Sequence, residues 1–246
     1  MNMKGTFFKK PLEFNMNIDG ESWNQGETIS GAFKIIDHSA QNPDSTMIGC
    51  HLCFCNIKKF KAKDSKAITV VESILLKPNQ SELIFNFNLK DNCPITDTTG
   101  SLYIIYGDIN SPFESGFLQL NITPIKPILY FTQIFEQFYR FKLKAFKNKK
   151  EGIEALVNVP DSREWTSIQK MAIQLKLSNE KLDIQFIVNL KKLDFSDNHH
   201  KTRDEKREIT KTLTKDQYEL YGIANQDGIK KVIDEVLSEI KIKPII

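Results

Sequence analysis

Residues 50–55 read "CHLCFC", from Cys50 to Cys55. Three thiols and one imidazole within six residues form either a metal or redox centre or the inside of a β-strand, and the choice decides what kind of protein to expect. Along a strand successive side chains alternate faces, so Cys50, Leu52 and Phe54 point one way and His51, Cys53 and Cys55 the other. The first set suits a core, because free cysteine behaves as a small buried hydrophobe. The second set shares a face, but side chains at i and i+2 of a strand diverge too far to close a tetrahedron. Zinc sites favour Cys-x₂₋₄-Cys turns that wrap the ion. Cys50 and Cys53 have that spacing on opposite faces, no second Cys-x-x-Cys pair exists, and Cys93 stands alone. The expectation is a strand without metal or cofactor. Ion or ligand binding by Cys50, His51, Cys53 and Cys55 is the minor alternative.

The flanking sequence supports a strand. "LEFNMNI" (12–18) alternates Leu12, Phe14, Met16 and Ile18 against polar residues, "TISGAFKII" carries Ile29, Gly31, Phe33 and Ile35 on one side, and "ELIFNFNL" repeats the pattern with Leu83, Phe85, Phe87 and Leu89. "AITVVESILL", "SLYIIYGDI" and "GFLQLNI" are further short apolar runs, punctuated by Gly107, Asn110, Pro112 and Gly116. Many short strands at close spacing with no helical period between them read as an antiparallel sandwich. Pro124 and Pro127 mark a domain boundary.

Beyond the boundary, "ILYFTQIFEQF" has the spacing of a short helix (Leu129, Ile134, Phe135, Phe138), and "YRFKLKAF" alternates Tyr139, Phe141, Leu143 and Ala145 against Arg140, Lys142 and Lys144. In "KLDIQFIVNLKKLDF", Leu182, Ile184, Phe186, Val188 and Leu190 share one face. Residues 196–206 read as a polar loop and "EITKTL" as a further strand. Thr214 and Gln217 have capping-box spacing. A helix starts near Asn225 or Asp227, with Ile229, Val232, Ile233, Val236, Leu237 and Ile240 in one stripe, and Pro244 closes it. The expected organisation is mainly β: one immunoglobulin-like sandwich over 1–123, a second over 128–214, and an amphipathic helical segment over 215–246 packed on the second.

Composition excludes little. The chain has 246 residues and a formal net charge of +3 from 34 basic and 31 acidic side chains, too small an excess to predict a nucleic-acid or membrane partner. Basic residues are almost all lysine; the four arginines are Arg140, Arg163, Arg203 and Arg207, so the first half has none. "MNMKGTFFKK" lacks an apolar stretch of signal-peptide length, Asn2 breaks the myristoylation pattern, and no apolar run approaches the roughly 18–20 residues of a membrane span. A cytoplasmic protein with reduced thiols is expected.

No phosphate-binding loop, dinucleotide fingerprint, zincin motif or nucleophile elbow occurs, so no catalytic residue is assigned. "HHKTRDEKRE" (199–208) mixes histidine and acid without a recognised ligand spacing and reads as a solvated loop. "YRFKLKAFKNKK" (139–150) is the densest basic segment. Its alternation places Arg140, Lys142 and Lys144 on one strand face, with Lys147, Lys149 and Lys150 beyond. Nucleic-acid binders put aromatics on the exposed face to stack bases, whereas Tyr139 and Phe141 fall on the opposite face. The six cations are therefore candidates for binding an acidic protein partner, with an anionic membrane surface as the alternative. The C-terminal stripe has mixed charges and no aromatic on its polar face, which favours packing over membrane contact.

"GESWNQGETISGAFKI" (20–35) and "LIFNFNLKDNCPITDTTGSLYIIYGDI" (83–109) resemble the N-terminal domain of arrestin-type proteins: a glycine-containing strand pair, then a strand, a Pro/Thr turn with Pro94, Thr96 and Gly100, and a strand. Two such domains in a chain of this length are similar to the SpoOM (sporulation-control) family. The retromer's arrestin-like subunit is a more distant likeness. The resemblance implies a non-enzymatic scaffold, adaptor or regulator that binds proteins, with a retromer-like trafficking module as the alternative. Receptor-sensing arrestins read phosphate with arginines in this domain, and their absence here argues against phosphoreceptor recognition.

Overall fold

The computed structural model describes residues 2–39, 48–77, 80–194 and 201–241. The chain divides into two compact units, Met1–Pro124 and Ile125–Ile246.

The first unit contains β1 (Asn2–Lys9), β2 (Leu12–Asp19), β3 (Trp23–Asn24), β4 (Thr28–Asp37), β5 (Ile48–Asn56), the short helix α1 (Ile57–Lys61), β6 (Ile68–Leu75), β7 (Glu82–Asn88), β8 (Gly100–Asp108), β9 (Gly116–Gln119) and β10 (Ile122–Thr123). Two four-stranded antiparallel sheets form, in the orders β1-β2-β4-β7 and β6-β5-β8-β9, and β10 pairs in parallel with β3. The alternating residues of β2, β4 and β7 meet the inward residues of β5 and β8 in one core: Phe14, Met16, Ile18, Ile29, Phe33, Phe85 and Phe87 from the first sheet, Cys50, Leu52, Leu102, Ile104 and Tyr106 from the second. Phe33 bridges the layers, stacked on Phe14 at 6.0 Å and edge-on to Tyr106 at 6.0 Å. Such pairs contribute about 0.5–1.5 kcal/mol each beyond area burial. Gly31 is needed where it stands: a Cβ there would lie 2.4 Å from the Asn17 carbonyl oxygen and 2.6 Å from the Phe85 ring.

The Pro/Thr turn before β8 is held by its own side chains. Asp97 Oδ1 accepts the Thr99 and Gly100 amides at 2.7 and 3.0 Å. Thr96 Oγ1 donates to the Leu120 carbonyl at 2.8 Å and accepts the Ile122 amide at 2.9 Å, tying the turn to the unit's last strands.

The second unit contains α2 (Lys126–Tyr139), β11 (Lys142–Lys149), β12 (Gly152–Asn158), β13 (Ile168–Ser178), β14 (Lys181–Asp194), β15 (Lys201–Leu213), α3 (Lys215–Tyr218), the two-residue strands β16 (Glu219–Leu220) and β17 (Ile223–Ala224), and α4 (Gln226–Ile240). Strands β11 to β15 form one antiparallel sheet in sequence order. The layer opposite this sheet is supplied by α2 and α4. The aromatic face of α2 lies over β14, with Phe131 and Phe135 edge-on to Phe186 at 6.1 and 6.0 Å, and Phe135 stacks on Phe141 at 4.5 Å. Helix α4 buries Ile229, Val232, Ile233, Val236, Leu237 and Ile240, the six residues of the stripe read from sequence. Asn225 caps it, its side chain accepting the Gly228 amide at 3.2 Å. Lys211 of β15 reaches Glu235 and Glu239 at 3.3 and 2.9 Å, and Tyr139 of α2 donates to Asp234 at 2.7 Å.

Four expectations change. The sheet of the second unit is faced by helices α2 and α4 and not by a second large sheet. The helix after the boundary runs to Tyr139, so Tyr139 and Arg140 are not strand residues: Arg140 ends α2 in the left-handed region at φ 61°, its amide bonded to Glu136. The alternation of β11 breaks at a β-bulge between Leu143 and Ala145. Ala145 pairs with Leu156 while Phe146 pairs with buried Ala155, so Phe146 turns inward and Ala145 outward. Residues 201–206, expected as loop, belong to β15, paired with β14 as in Lys191↔Asp204. An edge strand with an exposed face tolerates that polarity, which is why its composition reads as loop. His199, His200 and Pro244 lie outside the described residues.

Truncation before Asn225 should leave the second unit unable to fold. Six aliphatic side chains at roughly 1.5–3 kcal/mol each for full burial match or exceed a stability of about 5–15 kcal/mol. Loss of the second unit's protease-resistant fragment and aggregation on purification are the expected readouts; a truncated chain with an unchanged melting curve would contradict the packing.

Candidate functional site

Strand β5 places "CHLCFC" as the alternation requires. Cys50 and Leu52 enter the sandwich core, with Phe54 partly buried against it. The opposite face is not open. Cys53 and Cys55 join Phe60, Ala67, Tyr103 and Ile105 in a second apolar cluster beneath α1. Phe60 is its keystone, with ring centroids 5.1 Å from Tyr103, 5.6 Å from Phe113 and 5.1 Å from Phe117. Burial pushes the Cys53 and Cys55 thiols up to about 12 and Cys93 up to about 11, and raises Cys50 further. Such thiols carry almost no thiolate at neutral pH, and the thiolate is the nucleophile and the metal ligand. Among the described residues no group of three or more His, Cys, Asp or Glu is placed to hold a metal ion.

His51 is fully buried on this second face. Its Nδ1 lies 2.8 Å from Ser73 Oγ of β6, and its Nε2 has no hydrogen-bond partner among the described residues. Burial lowers the pKa of His51.

The six basic residues singled out from sequence do not form one face. Strand β11 is the edge of its sheet. Lys142, Lys147 and Lys149 register with Asn158, Glu154 and Gly152 on the solvent side of β12, and Lys144 is the extra residue of the bulge. Lys149 is bound to Glu154 at 3.1 Å. Lys142, Lys144 and Lys147 have no carboxylate within ion-pair distance among the described residues. Arg140 sits on the helix stop and Lys150 in the β11–β12 turn.

A second basic surface was missed by reading 139–150 as the densest. Lys58, Lys59, Lys61, Lys63 and Lys66 occupy α1 and the turn after it, all exposed and none in an ion pair among the described residues. They border β6, the edge of the second sheet, whose Val70 and Val71 are 47% and 53% exposed. The signal was in the sequence: "IKKFKAKDSK" sets a lone phenylalanine among lysines, the mark of a short segment pinned by one buried ring.

The two-sheet unit, the helix-covered meander and the C-terminal helix define a mainly-β fold of two units. The crystal structure of Spo0M, a sporulation control protein from Bacillus subtilis, has this fold: the TM-score is 0.60, over 94% of this chain and 99% of that one, at 13% identity. That likeness agrees with the SpoOM resemblance carried by residues 20–35 and 83–109, and at this identity it shows the fold alone. No protein-family model matches the chain, and no curated protein matches it.

Two measurements check the cysteine strand. Protein prepared without chelator should hold only substoichiometric zinc and iron, and Cys50, Cys53 and Cys55 should react with a thiol reagent only on unfolding; stoichiometric metal lost on replacing Cys53 and Cys55 would contradict this. For His51 the folded pKa lies below the unfolded value near 6.5, so its contribution is present above that value and is lost as pH falls towards the folded pKa. Between pH 6.5 and 5 the wild type should lose stability faster than His51→Asn, by up to about 1.4 kcal/mol per pH unit. Parallel pH profiles would show that the ring is free to charge.

Proposed function

We propose that the chain is a non-enzymatic regulator or scaffold that binds another protein through an open sheet edge, with β11 as a docking strand. The observation that carries this reading is the edge itself. β11 has β12 on one side and, among the described residues, no strand on the other, and it displays Lys142, Lys144 and Lys147 without carboxylate partners. An edge strand presents a row of unpaired backbone donors and acceptors that a partner's strand can satisfy, and the lysines select an acidic one.

Two further observations support the class. The chain shares its fold with a protein described as controlling sporulation, a regulatory role. The thiols and the imidazole that sequence offered as chemistry are buried, with raised thiol pKa values, and serve packing. Four free cysteines suit a reducing compartment, so the partner is sought in the cytoplasm. No helix among the described residues is long and apolar enough to cross a membrane.

Partners captured by the full chain from its native host provide the test. Lys142→Glu with Lys144→Glu should weaken capture about tenfold or more while leaving the melting temperature unchanged, because both side chains face solvent. Added salt should weaken the wild-type complex. A partner whose affinity ignores both changes does not sit on β11.

A further inference from the structure

The first unit has an exposed sheet edge of its own. Strand β6 ends its sheet, with β5 on one side and no strand on the other among the described residues. Its sequence, Ile68 to Leu75, is β-branched and apolar, with Glu72 its one charge. Isolated apolar residues on a surface are ordinary, but here Val70, Val71 and Leu75 are 47%, 53% and 43% exposed on one free edge. Ile68 and Val70 also wall an open cleft of about 480 Å³, closed on its far side by Ile109 and Phe113. Ser65 completes the near wall, and it lies in the chain between Lys63 and Lys66.

An unpaired strand edge with exposed valines and the five lysines of the segment leading into it therefore meet at the start of β6, while the cleft on its inner side is also lined by Glu114. Each feature selects part of a ligand. The edge asks for extended backbone, because it offers main-chain groups in register. The exposed Val70 and Leu75 ask for apolar side chains at alternate positions, since alternate residues of an added strand fall on one face beside them. The lysines ask for negative charge at one end only. A lipid surface satisfies the charge but not the edge: backbone donors pressed into hydrocarbon go unmet. Single-stranded nucleic acid would need a series of exposed aromatic platforms along a basic groove, whereas Phe60 is spent inside the cluster and Phe117 beside it is a single half-exposed ring. A second copy would bring lysines to lysines or leave them unpaired.

We infer that β6 accepts an extended acidic–apolar segment of a protein partner as a fifth strand. Both sandwich sheets are antiparallel, and antiparallel pairing is the more stable per residue, so the added strand runs against β6. The start of β6 then faces the end of the peptide, and the acidic residues lie at the segment's C-terminal end, beside Lys61, Lys63 and Lys66.

A fluorescein-labelled peptide of alternating valine and threonine ending in four glutamates tests this by anisotropy against the full chain. It should bind, and the same peptide with its sequence reversed should bind at least tenfold more weakly. Lys61→Glu with Lys63→Glu should weaken binding at least tenfold at an unchanged melting temperature; Val70→Asp should do the same by charging the cleft. Equal affinity for the reversed peptide, or indifference to both variants, overturns the inference. So does failure to bind the peptide while phosphatidylserine vesicles bind in a Lys61- and Lys63-dependent way, which reassigns the corner to membrane. Concentration-dependent dimerisation abolished by Val70→Asp, without peptide binding, reassigns it to a second copy. Lys142→Glu with Lys144→Glu should leave peptide binding unchanged, which separates this site from β11.

Discussion

The pairing of β5 with β8 is the constraint on which the first unit depends. Both strands are buried on both faces: one side fills the sandwich and the other fills the cluster under α1. A strand buried on both sides cannot alternate with polar residues, so it reads as a near-continuous apolar run. "CHLCFC" and "LYIIY" are such runs. Cysteine fits this demand, being small, apolar and tolerant of close neighbours; Gly100 opposite shows how tight the space is, since a Cβ there would lie 2.4 Å from the Phe54 ring. The reactive look of the segment follows from packing. The same burial raises its thiols and holds its imidazole neutral.

Covering the second face has a consequence for the surface. Helix α1 is five residues long, too short to be stable by itself, and it is held by Phe60 and by the Asn56 side chain accepting the Lys59 amide at 3.1 Å. With one residue turned inward, the others must be soluble, and lysine supplies that solubility. The lid over the cysteines is thereby also the basic border of β6. In the second unit the same task falls to longer elements: β14 presents an unbroken apolar face, and α2 and α4 cover it with aromatic and aliphatic stripes.

Much of this was legible because period carries burial directly. Phe14, Met16 and Ile18, or Leu182 to Leu190, could face only a core, and the α4 stripe matched its buried residues one for one. Where reading failed, the cause was local geometry that period does not encode. A bulge adds one residue, so Ala145 and Phe146 exchanged faces although both suit a strand. Arg140 adopts a left-handed stop without being glycine or asparagine, so nothing in its identity announced the helix end. Residues 201–206 lost their strand signal because an edge strand can be polar throughout. The candidate surfaces were legible in part: the β11 lysines were found as a charge run, whereas the α1 lysines stand out only once β6 is known to be an edge, a fact of topology.

Natural sheet edges are blunted by lysine and by bulges, and β11 has both. That protection does not close the edge to everything. Like charges brought opposite each other cost energy, so a lysine-lined edge repels a second copy of itself and other basic strands. Against an acidic strand the sign of the same term reverses, and the backbone pairing that was withheld becomes available. β6 is bulged at Val71 but almost uncharged, and its lysines stand at one end instead of along its length. Charge there cannot exclude a neutral strand; it can only set which way an acidic one lies. On the proposed reading the two edges differ in what their cations would decide: on β11 whether a strand is admitted, and beside β6 which way it runs, with the exposed valines of β6 setting its side chains.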